Sequence, residues 1–94
     1  MARAKFNDTV VAESDECVVV EGNSYFPPHA VRREYMKESA THTTCPWKGE
    51  ASYYDVVVGD RVARDGAWYY ASPKDAARQI QGHIAFWKDV KVER

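Results

Sequence analysis

At 94 residues the chain has room for one small domain with a modest core. A hydrophobic share of 45% and a charged share of 29% exclude a disordered or low-complexity chain, and a net charge of −1 leaves no basic excess of the kind that holds nucleic acid. No apolar run reaches membrane-spanning length, and Met1 to Asp8 lacks the apolar centre of a signal peptide. The expectation is a cytoplasmic protein with no membrane partner, in which Cys17 and Cys45 stay thiols.

The first elements read as a β-meander. Ala4 to Phe6 and Thr9 to Glu13 are short extended segments around the turn pair Asn7-Asp8. Cys17 to Val20 is a β-branched apolar run, the mark of a buried strand. Glu21-Gly22-Asn23-Ser24 turns the chain, and Tyr25-Phe26 resumes as a stub of strand.

Pro27-Pro28 interrupts this pattern. Pro28 suits the first position of a short helix, His29 to Arg33. Arg32 to Lys37 can extend that helix or form another strand, and the alternation of Tyr35 and Lys37 with Glu34 and Met36 favours strand. Ser39 to Thr44 is polar and reads as loop.

Glu50 to Val58 and Val62 to Tyr70 are the clearest strands. Gly59-Asp60 between them suits a type II′ hairpin, because glycine comes first in a two-residue loop. In that register Val57 faces Val62, Asp55 faces Arg64, Tyr53 faces Gly66 and Ala51 faces Trp68, with Tyr70 beyond on the same side. A bulge at Gly66 would instead shift the last pairs by one and turn Trp68 to the other face. Downstream, Ser72-Pro73-Lys74-Asp75 reads as a helix start with Ser72 as N-cap, and a short helix Lys74 to Gln79 ends before Gly82. His83 to Trp87 and Val90 to Glu93 close the chain as strands.

Chemistry concentrates in His42-Thr-Thr-Cys45-Pro-Trp-Lys48-Gly49, which feeds Tyr53 and Tyr54. A thiol near an ammonium can become a thiolate, so Cys45 and Lys48 are candidate nucleophiles with His42 as base. The alternative is a packing cysteine beside a solvated lysine. His42 and Cys45, with His29 or His83, lack the paired spacings of a structural zinc site, so no metal and no cofactor are expected. Lys48-Gly49 lacks the glycine-rich run of a phosphate loop. Tyr53, Trp68 and Tyr70 are either core or the lining of an open pocket, since one small core does not easily hide every ring.

Several segments in the same order, Cys45-Pro-Trp-Lys-Gly-Glu-Ala-Ser-Tyr-Tyr54, Ala67-Trp-Tyr-Tyr70, Pro73 and Ile80-x-Gly-His-Ile-Ala-Phe-Trp87, resemble the small bacterial and fungal domains known as domain of unknown function 427. The likeness runs from the valine-rich strand through Tyr25-Phe-Pro-Pro28 to the end. It implies a compact, mainly β domain. A nucleotidyltransferase label attached to the family has no independent support in these residues.

The reading is therefore a single mainly β domain over residues 1–94, a curved antiparallel sheet or sandwich with one or two short helices. Its expected function is to bind a small anionic or aromatic molecule in a pocket lined by Tyr53, Trp68 and Tyr70, with Cys45 and Lys48 at the rim. The other two readings are an enzyme using Cys45 or Lys48 as nucleophile, and a protein-interaction module. Nothing in the sequence sets an oligomeric state.

Overall fold

The computed structural model describes residues 1–94 and builds almost all regular structure from antiparallel strands. The strands are β1 (Ala2–Phe6), β2 (Thr9–Ser14), β3 (Val18–Val20), β4 (Asn23–Tyr25), β5 (Met36–Cys45), β6 (Gly49–Val58), β7 (Arg61–Tyr69), β8 (Ile84–Phe86) and β9 (Lys91–Glu93). They form a three-stranded sheet β2-β1-β9, a two-stranded ribbon β3-β4 and a four-stranded sheet β5-β6-β7-β8. The first and last strands pair through Ala4 and Val92, which closes the chain on itself. There is no α-helix. The helical stretches are 3₁₀ turns at Pro28–Ala30, Arg33–Tyr35 and Asp75–Ile80.

Alternation along the strands of the larger sheet sorts side chains onto two faces. Tyr54, Val56, Val58, Ala63, Ala67, Ile84 and Phe86 meet Ala2, Ala4, Phe6 and Val11 of the smaller sheet, with Phe26 and Val31 between them. On the other face Ala51, Tyr70 and Ala85 meet Tyr25, Ala77 and Ile80. Tyr53, Trp68, Cys45, Val18 and Val20 flank this second cluster. Consecutive residues thus serve different cores: Tyr25 packs in the second and Phe26 in the first.

The hairpin β6–β7 forms as expected around Gly59-Asp60, with Val58 opposite Arg61 and Val57 opposite Val62. Gly59 takes φ +61°, the positive value that the first position of a II′ turn needs. Beyond that the expected register fails. Val56 pairs with Ala63 and Tyr54 with Ala67, so two steps on β6 match four on β7. The bulge is therefore wider than the one-residue shift considered at Gly66. Tyr53 faces Trp68, not Gly66, and Asp55 does not face Arg64. Asp55 Oδ1 instead accepts the Asp65 backbone N–H at 2.8 Å. Asp65 sits at φ +53° within the bulge. A two-residue offset preserves alternation, so Tyr53, Trp68 and Tyr70 still share a face. Gly66 is required by its own strand: a Cβ there would lie 2.9 Å from the Ala63 Cβ.

Other local expectations are corrected. Ser39 to Thr44 is not loop but the centre of β5; its polar residues suit an edge strand that is largely exposed. The run around Val18–Val20 is a surface ribbon rather than a buried strand, with Val19 53% exposed. Ser72 does not cap a helix: Lys74 holds the N-cap position of the turn Asp75–Ile80 and makes no side-chain cap bond. No helix is long and apolar enough to cross a membrane.

Candidate functional site

The second face of the larger sheet is only partly covered. The ribbon β3–β4 and the turn Asp75–Ile80 close one side of it. Beside them a recess of about 270 Å³ is lined by Asn23, Tyr25, Lys48, Tyr53, Trp68, Tyr70 and Trp87. Five of the seven are aromatic. They come from β4, β6, β7, the residue after β7 and the residue after β8.

Trp68 is the centre of this ring set. It packs edge-on against Tyr25 at 6.1 Å between centroids and against Trp87 at 5.4 Å. Its indole N–H donates to the Tyr25 hydroxyl at 3.2 Å. The Tyr53 hydroxyl shares a 2.9 Å hydrogen bond with Thr43 Oγ1 on β5. Such pairings hold rings at fixed angles while one end stays polar. Burial pushes the Tyr70 phenol up to about 12, against the pull of the Lys48 ammonium, so it is neutral at ordinary pH. Burial also raises Tyr25, opposed by its hydrogen bond with Trp68.

Lys48 is 7% exposed, which is unusual for a charged residue. Its ammonium donates to the Glu21 carboxylate and lies 4.9 Å from the Trp47 ring centroid and 5.8 Å from that of Tyr70. Burial disfavours the charged amine. The Glu21 hydrogen bond, with Tyr25 and Tyr70, outweighs that cost and raises the Lys48 pKa above the ordinary lysine value. The same hydrogen bond lowers the Glu21 carboxyl. The main chain is held as well. Lys48 O accepts the Lys74 N–H at 2.9 Å, and Lys74 Nζ donates to Pro46 O at 2.7 Å. Gly49, at φ +110°, allows the tight reversal into β6.

Trp87 reaches the recess through the bulge. Its indole N–H donates to Asp65 O at 2.6 Å and its backbone N–H to Gly66 O at 3.1 Å. Ser39 Oγ and Thr41 Oγ1 donate to the Asp65 carboxylate at 2.5 and 2.8 Å. The Ser39 bond is the main cause of the lowered Asp65 pKa. A network spanning β5, β6 and β7 therefore ends on a wall of the recess.

The structure brings Lys48, Tyr53, Trp68 and Tyr70 to one place, with Cys45 in the cluster below. It does not bring His42 to Cys45. His42 pairs with Ser52 and Thr43 with Ala51, so alternation sends His42 to the opposite face of β5, where Nδ1 lies 3.2 Å from Ser52 Oγ. An amine held protonated by Glu21 has no free lone pair for attack. His29 lies 4.0 Å from Glu16, and His83 Nδ1 3.1 Å from the Gln81 carbonyl. No three His, Cys, Asp or Glu residues are grouped to hold a metal ion. Tyr25, Glu21, Asn23 and Trp87 were missed as site residues. Only Trp87 left a signal, since it follows Ala85 by two along a strand and so shares its face.

None of the curated proteins matches this chain. The family model NTP_transf_9, described as a domain of unknown function (DUF427), matches residues 1–94, and the chain belongs to that family.

Proposed function

We propose that this domain binds a small, flat molecule carrying a negative charge in the recess of the larger sheet. The observation that carries this reading is the convergence of five aromatic side chains and one buried ammonium on a space of about 270 Å³ that no side chain fills. Ring faces held at fixed angles favour stacking with a planar molecule. Lys48 supplies a fixed positive end, and the hydroxyls and the Asn23 amide supply orienting polar groups, the usual composition of a ligand site.

A thermal-shift screen of planar anions against the wild type, Trp68→Ala and Lys48→Ala tests this. A ligand that binds the native state raises the melting temperature by mass action. The expected result is a hit lost in both variants. A hit that survives Trp68→Ala would place binding elsewhere.

A further inference from the structure

Lys48 is not a free cation. Its ammonium has one anionic partner, the Glu21 carboxylate. The phenols of Tyr25 and Tyr70, both raised by burial, are neutral at ordinary pH, and the Trp47 ring beside the ammonium carries no charge. The two members of the pair differ in freedom. The Lys48 side chain is 8% exposed and the Glu21 side chain 54%. Lys48 lines the recess and Glu21 does not. Glu21 sits with Gly22 in the turn between β3 and β4, both at positive φ, on a ribbon whose strands are three residues each. Its side chain is more than half exposed, so a carboxylate released from Lys48 meets water directly. The ammonium cannot leave without being stranded among rings.

Resting on the recess reading above, we propose that Glu21 is a built-in competitor, displaced from Lys48 when the carboxylate of a flat ligand enters. Two features favour a single carboxylate over a phosphate. No arginine lines the recess. One lysine, as a point charge, balances one negative charge and gives no bidentate fork for a phosphate. Exchange keeps the buried ammonium neutralised throughout, whereas adding a second anion beside Glu21 would set two like charges together. Glu21 then sets the affinity threshold: neutral rings enter without displacing it, and anions enter only by replacing it.

The test uses a matched pair of probes, indole-3-acetate and indole-3-acetamide, which share ring and length and differ in charge. Affinities for the wild type and Glu21→Gln are measured by calorimetry. Glu21→Gln is expected to bind indole-3-acetate on the order of tenfold tighter, because the internal competitor has lost its charge, with indole-3-acetamide unchanged. In the wild type, saturating indole-3-acetate is expected to move the Glu21 side-chain carboxyl ¹³C signal towards its solvated position. This second measurement needs no variant and holds if Glu21→Gln folds poorly. Indole-3-acetate binding that is unchanged or weaker in Glu21→Gln, or a static Glu21 signal at saturation, would overturn the exchange while leaving the recess reading intact. Failure of both probes to bind either protein would remove the recess reading and the exchange with it.

Discussion

The two faces of the β5-β6-β7-β8 sheet are built from the same strands and do different work. The face towards β1-β2-β9 is apolar, closed and largely free of charge: Val56, Ala63, Ala67 and Ile84 meet Phe6, Val11 and Phe26, and the stacked Tyr54 and Tyr69 pack against them. The opposite face carries rings, hydroxyls and a buried ammonium, and leaves space open. Close packing is what gives a small domain its stability, so an unfilled aromatic surface is a cost that packing alone does not explain. Under the proposed function, stability rests mainly on the first face and recognition on the second.

Breaking the first face should give the largest effect. Phe26→Ala removes a fully buried ring that packs on Phe86 at 5.6 Å between centroids. A loss of about 3–5 kcal/mol in urea unfolding is expected, a large share of the stability of a domain this small. Little loss would mean that the closed face is not the stabilising one.

Gly66→Ala strikes the bulge that joins the faces. The added methyl would crowd the Ala63 Cβ and carbonyl inside a tight strand, which should cost about 1–3 kcal/mol and move the Trp87 indole N–H signal, since that group is anchored on Asp65. An unchanged Trp87 signal would separate the bulge from the recess wall.

Trp87→Ala should reverse the pattern seen for Phe26. The side chain is 43% exposed, so truncation should cost about 1 kcal/mol or less of stability while removing most binding of any recess ligand. Equal losses in both quantities would make Trp87 an ordinary packing residue.

The smallest expected effect is pH-dependent and confined to the second face. Glu21 has a lowered pKa, so its contribution is present above its ordinary value of 4.5 and fades as pH falls through the folded value. Lys48 has a raised pKa, so its contribution is complete below 10.5 and fades as pH rises through the folded value. Tyr70 adds to the alkaline loss, because the fold favours its neutral form between 10 and about 12. Melting temperatures of Lys48→Met should lack the Lys48 part of this alkaline slope. An identical slope in that variant would show that the pair contributes nothing.

The β6–β7 hairpin was legible because its turn chemistry is local: Gly59-Asp60 between two β-rich runs needs no distant partner. The common face of Tyr53, Trp68 and Tyr70 was legible from alternation, and survived a register error because the bulge inserts an even number of residues. Asp65 was not legible. Its left-handed backbone is held by Ser39, Thr41 and Asp55, contacts that no spacing in the sequence announces. β5 was missed for a related reason, since an exposed edge strand needs no apolar alternation. The pairing of Lys48 with Glu21, 27 positions away, belongs to tertiary structure alone.

The most direct test of the division between faces is a ¹H–¹⁵N and ¹H–¹³C titration of the wild type with indole-3-acetate, following all three tryptophan indole signals, Trp47, Trp68 and Trp87. The expected result is saturable movement of these three with one affinity, while the side-chain methyl ¹H–¹³C signals of Val56, Ala63 and Ile84 on the closed face shift far less. Indole signals that stay fixed at millimolar probe, or shifts spread evenly over both faces, would contradict the assignment of recognition to the aromatic face.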